Sequence, residues 1–217
     1  MYRRICNLGL FTLISIHSCM SAQAAFISPA NPIDGLNLNW SHNESNSLQT
    51  FNEVQNTRIK GNTIQVDYLV GHNLSLGQQF TGVNHSNSRI YLQDGVYSSH
   101  LLHFDPINIH GGKIQNQRFE FIDNIVAIIL GGEYLNLSDD LLGNTTVQYE
   151  NSISRRLEAN DLLSLESSNT LLIDKLSVGP YWVDDVRVIT QSVPEPSAWA
   201  LFCLGLLGLV GARKISK

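Results

Sequence analysis

Cysteine is nearly absent from this 217-residue chain: three occur, at Cys6, Cys19 and Cys203, and none in the long stretch between. That excludes a disulfide framework and a thiol nucleophile from the body of the protein. Basic residues are also scarce there. Residues 25–192 hold nine Lys and Arg against eighteen Asp and Glu, a formal charge of −9. A domain this acidic lacks the basic patch that nucleic acid or anionic lipid requires. No apolar run reaches the 18 or more residues of an ordinary membrane span. No internal repeat of 20 to 50 residues occurs. The G-x-S-x-G elbow, the H-E-x-x-H zinc helix and the D-x-[DN]-x-[DN]-G calcium loop are all missing.

The informative segments are the two ends. Arg3 and Arg4 precede the apolar run Leu8–Ile16, and Ala22-Gln23-Ala24 follows. A basic start, a short greasy stretch and an A-x-A site in that order form a secretory signal peptide, with cleavage expected after Ala24. At the other end, Pro194-Glu195-Pro196 leads into the apolar run Ala198–Ala212, then Arg213, Lys214 and Lys217. Its 15 residues would span roughly 22 Å as a helix, short of the ~30 Å hydrocarbon core, so insertion needs tilted or snorkelling flanks. The basic tip favours the cytoplasmic side and leaves everything upstream outside.

This tail, Pro194-Glu195-Pro196 with its short helix and Arg213-Lys214, resembles the PEP-CTERM sorting signal of exported bacterial proteins. The resemblance covers about the last 25 residues. It implies a membrane peptidase partner, an exosortase, that removes the tail after transient insertion into the inner membrane. The carrier then passes to the envelope or the extracellular matrix, often beside exopolysaccharide. The expected organisation is a signal peptide over 1–24, an extracytoplasmic domain over 25–191 and a sorting signal over 192–217 with its helix at 198–212.

Between the ends the sequence reads as strands. In "TIQVDYLV", Ile64, Val66, Tyr68 and Val70 alternate with Gln65 and Asp67, the period of a half-buried strand. "RIYLQDGVYSSHLLHF" predicts a hairpin about Asp94-Gly95, and "LLSLESSNTLLIDKLSVG" another about Ser167–Asn169. "QRFEFIDNIVAIILGG" and "VDDVRVIT" supply further strands. The one short helix expected lies in "SDDLLGN", capped by Ser138 or Asp139 and stopped at Gly143. The fold class is therefore all-β, an antiparallel β-sandwich with jelly-roll connectivity as one option, flanked by the signal peptide and the C-terminal hydrophobic helix.

Four groupings could carry chemistry. His100, His103 and Asp105 offer metal-type ligands, but strand residues three apart face opposite ways, so the two histidines should not converge. A structural His103–Asp105 pair is the plainer expectation. The paired acids Asp139-Asp140 and Asp184-Asp185 are weak candidates for hard-oxygen ligands; no cofactor is expected, with calcium possible, since each pair serves equally as a helix cap or solvated strand end. Glu133, after Gly131-Gly132, is the candidate acid if the protein cleaves glycans, whereas Glu120 points away from its phenylalanine neighbours. Trp40, Tyr181 and Trp182 could stack on sugar rings or fill the core.

The resulting expectation is a non-catalytic envelope or matrix protein that associates with exopolysaccharide or the cell surface after processing. The alternatives are a carbohydrate-active enzyme and a self-assembling structural surface protein.

Overall fold

The computed structural model describes residues 31–32, 35–39, 42, 44–82, 89–107 and 111–192. The signal segment, Trp40, and the tail with Pro194, Glu195, Pro196, Arg213 and Lys214 lie outside these residues. In chain order the strands are β1 (Asn31–Pro32), β2 (Asn37–Leu38), β3 (Gln49–Asn52), β4 (Thr57–Ile59) and β5 (Gln65–Val66). Then come β6 (Tyr68–Leu69), β7 (Gln79–Thr81), β8 (Ile90–Tyr91), β9 (Gly95–Phe104), β10 (Gly112–Glu120) and β11 (Asn124–Ile129). Helix α1 (Gly132–Leu142) follows, then β12 (Gln148–Tyr149), a 3-10 turn (Ile153–Arg155), β13 (Leu162–Ser167), β14 (Thr170–Val178) and β15 (Asp184–Gln191).

The protein is mostly β, as its alternating sequence predicts. A seven-stranded sheet runs β1-β3-β9-β15-β11-β6, with β4 also pairing to β9. A four-stranded sheet runs β10-β14-β13-β7. Within both sheets every pairing is antiparallel except β1 with β3. The sheets meet across the main core. Leu102, Phe104, Ile128, Val186 and Val188 of the large sheet face Phe119, Leu163, Leu165, Leu171 and Ile173 of the small one. The large sheet is covered on its other face as well. There Ala127, Ile129 and Ile189 pack with Leu135 and Leu142 of α1. Burial on both faces explains why β11, NIVAII, reads as a nearly continuous apolar run, and it encloses the polar Asp185, Arg187 and Thr190 of β15 as well.

The hairpin at Ser167–Thr170 joins β13 to β14 as expected. The one expected at Asp94-Gly95 does not form: β8 pairs with β5, and β9 pairs with β4, β3 and β15. Asp94 instead accepts a hydrogen bond from the Gly61 amide, which fastens the β4 end across the turn. The strand expected through residues 63–70 is broken in two. Asp67 turns inward and its Oδ2 accepts the Leu130 and Gly131 amides at 2.7 and 2.8 Å. Ile64 and Val66 therefore join the helix-side core, while Tyr68 and Val70 join the main one.

The two histidines of β9 do face opposite sides. His100 lies in the sandwich against Phe121, ring centroids 5.1 Å apart. Its ring nitrogens lie 2.7 Å from Asn52 Oδ1 and 3.1 Å from Thr190 Oγ1. Burial lowers the His100 pKa to about 3. Between pH 6.5 and that value the unfolded chain takes up a proton that the folded chain refuses. The stability it contributes is complete above pH 6.5 and lost as pH falls, by up to about 1.4 kcal/mol per unit. We expect His100→Gln to flatten this loss relative to the native residue, measured by urea unfolding between pH 7 and pH 4. Parallel stability curves for the two proteins would refute the assignment.

Candidate functional site

Helix α1 begins without a side-chain cap, after Gly131. Asp67 satisfies the amides just ahead of it, as a capping carboxylate would. The expected caps, Ser138 and Asp139, therefore lie well inside the helix, while Gly143 does end it, its amide donating to Asp139 O at 2.9 Å. This placement sends Asp139 toward the large sheet, where its two oxygens accept from different arginines. Arg187 Nη2 donates to Oδ1 at 2.8 Å and Arg155 Nη1 to Oδ2 at 2.6 Å. Arg187 also forms a two-pronged pair with Glu53, Nε to Oε2 at 2.8 Å and Nη2 to Oε1 at 2.7 Å. Ser99 and Tyr149 complete the Glu53 shell, donating at 2.6 and 2.8 Å. Arg155 Nε donates to Asp185 Oδ2 at 2.8 Å, and the other Asp185 oxygen lies 2.7 Å from His103 Nδ1. The Tyr149 ring sits 5.2 Å from the Arg155 guanidinium carbon and 5.6 Å from that of Arg187, close enough for cation–π attraction.

Burial alone would raise the Asp185 carboxyl, but Arg155 and then His103 outweigh it and hold it below the ordinary value. An ionised Asp185 can only accept, so His103 Nδ1 carries the proton. For Arg187 burial opposes the charge, and Glu53 followed by Asp139 more than restores it. His103, Asp185, Arg155 and Arg187 are fully enclosed. The cluster thus acts as a fastener that locks α1, the 3-10 turn and β12 to the large sheet. It corrects one expectation: His103 pairs with Asp185 across the strands, in register, and not with Asp105.

Asp184 and Asp185 part company because neighbours on a strand face opposite ways. Asp184 lies beside Glu158 and Asp161, each residue contributing an oxygen within 4.8 Å of the others. No other grouping of three His, Cys, Asp or Glu has metal-ligand spacing among the described residues. Asp184 and Asp161 are fully buried. Asp161 is oriented by two backbone amides, Glu158 N to Oδ2 at 2.7 Å and Ser177 N to Oδ1 at 2.8 Å. Of the other acids singled out by sequence, Asp140 is exposed on α1, Glu133 is exposed in its first turn and Glu120 is exposed at the end of β10.

An open pocket of about 330 Å³ lies between α1 and the β5–β8 ribbon. Asn62, Thr63, Gln65, Tyr91, Tyr134 and Leu137 are among its walls, and no lining side chain is charged. Gln65 Nε2 donates to the Tyr134 hydroxyl at 2.6 Å. Phenol faces beside amides and hydroxyls suit a neutral polar ligand. The expected aromatic platform is different: Tyr181 is 60% exposed, whereas Trp182 packs against the main core under the Arg156 guanidinium, 5.7 Å from its ring. Tyr91 and Tyr134 escaped sequence reading because their pairing depends on the β5–β8 ribbon meeting α1.

Residues 192–214 match the family model for the PEP-CTERM protein-sorting motif. No curated protein and no solved structure matches the chain. The match covers the residues that suggested the resemblance, Pro194-Glu195-Pro196 through Arg213-Lys214. The chain carries a PEP-CTERM sorting motif, the signal of an exported, transiently membrane-anchored surface protein that is processed by an exosortase, a membrane peptidase.

Proposed function

We propose that the processed protein is a non-catalytic component of the cell surface or extracellular matrix that binds the producing cell's exopolysaccharide. The sorting motif at 192–214 carries this reading, because it marks an exported surface protein, and such polymers are met at cell surfaces. The uncharged, tyrosine-walled pocket supports it further. Sugar rings present apolar faces rimmed by hydroxyls, which a phenol, an amide and a threonine hydroxyl satisfy together. The acidic domain would repel a strongly anionic polymer, so a neutral glycan is the better fit.

The test is binding of surface-extracted protein to exopolysaccharide from the same cells. Tyr134→Ala is expected to weaken it on the order of tenfold, the loss of one stacking face and one hydrogen bond. Tyr181→Ala should change it little. Release of new reducing ends would identify a carbohydrate-active enzyme instead. Absence of binding together with concentration-dependent oligomers would favour a self-assembling surface protein.

A further inference from the structure

We infer that Glu158, Asp161 and Asp184 form a calcium site that ties the two sheets together. Three facts carry it. The donor oxygens lie within 4.8 Å of one another, and two oxygens on one calcium ion, each at 2.3–2.6 Å, can stand at most about 5 Å apart. Asp184 is fully enclosed, yet neither of its carboxylate oxygens has a hydrogen-bond partner, and Glu158 Oε2 is also buried without one. The donors are all carboxylate oxygens, which suit a hard cation rather than zinc or copper.

A buried carboxylate without a partner is costly enough that proteins pair it, protonate it or give it a metal. No ion pair among the described residues involves these three. The basic residues whose charge reaches them are otherwise engaged: Arg156 over Trp182, and Lys175 donating to Asn160 O at 3.3 Å. Burial raises all three carboxyl pKa values, Glu158 to about 7 with Asp161 adding to the rise. A divalent cation would relieve both the burial and the repulsion.

The placement also says what the ion would do. Asp184 opens β15 of the large sheet, while Glu158 and Asp161 sit in the loop entering β13 of the small one. Asp161 is tied to β14 through the Ser177 amide. Gly82, after β7, packs so closely that a Cβ there would stand 2.0 Å from Glu158 O, so the loop is held firmly against the sheet. Exported domains meet calcium at concentrations that satisfy weak extracellular sites, with Kd of about 10⁻⁴–10⁻³ M. This inference is independent of glycan binding.

The experiment is calorimetric titration of the chelator-treated, surface-extracted protein with calcium chloride, alongside thermal unfolding with and without the ion. One calcium per chain and a calcium-dependent rise in Tm are expected. Asp184→Asn and Glu158→Gln should each weaken binding on the order of 100-fold, since affinity follows ligand charge. Neither should lower Tm in chelator, because Asp184→Asn removes a buried carboxylate with no partner and Glu158→Gln a half-buried one whose Oε2 has none, so lost binding cannot be mistaken for misfolding. Asp140→Asn should bind like the native protein. No heat and no Tm change at millimolar calcium would overturn the site. So would calcium binding untouched by both variants, or magnesium bound as tightly as calcium.

Discussion

Replacing Arg187 with methionine is expected to destabilise the protein by about 3–5 kcal/mol, because it strands the buried Glu53 and takes one of two arginines from Asp139. Arg187 is fully buried and is the sole basic partner of Glu53 among the described residues, while it shares Asp139 with Arg155. Without it Glu53 keeps only the Ser99 and Tyr149 hydroxyls. For a protein of this size the loss corresponds to a fall in Tm of roughly 10 °C. Arg187→Met with Glu53→Leu should recover part of the loss, since a well-packed apolar pair has no ions to desolvate. A double-mutant cycle on urea midpoints would measure the coupling. Amide exchange should speed up first in α1, which the arginine holds through Leu135 O, Ser138 and Asp139. A single-variant loss below about 1 kcal/mol, typical of an exposed pair, would contradict the fastener role.

What could be read from the sequence followed the range of the interaction that set it. The β13–β14 hairpin is local, so alternation on either side of Ser167–Asn169 was enough. The divergence of His100 and His103 also follows from strand period alone. Asp94-Gly95 marks a real bend at the start of β9, but a turn dipeptide does not name the strand that pairs afterward. Ten-residue β9 found its partners at Gln49–Asn52, Thr57–Ile59 and Asp184–Gln191. The start of α1 was invisible because it has no side-chain cap, and the amides just ahead of it are held by Asp67, more than 60 residues upstream. Glu53 sits in a stretch without periodicity, and Arg155 and Arg187 look like ordinary surface charges until register places them inward. Asp184 was singled out as half of an acidic pair. Its neighbours proved to be Glu158 and Asp161, joined to it by the meeting of two sheets rather than by spacing along the chain.

Sorting should be the most visible property of the chain in the cell, and its effect is all-or-none. The match at 192–214 implies exosortase processing of a transiently membrane-anchored precursor, so we expect the tail to be absent from the finished protein. Its 15-residue apolar run is short for a lasting span of a ~30 Å core, as suits a temporary hold. Pro194→Ala with Glu195→Ala should leave the protein in the inner-membrane fraction at precursor length, because the peptidase loses the feature before its cut. The decisive measurement is the intact mass of the protein recovered from the cell surface, compared between a host with its exosortase and one without. We expect a chain lacking residues 1–24 and Ala198–Lys217 in the first host and a retained C-terminus in the second. A surface protein that ends at Lys217 in both hosts would contradict that expectation.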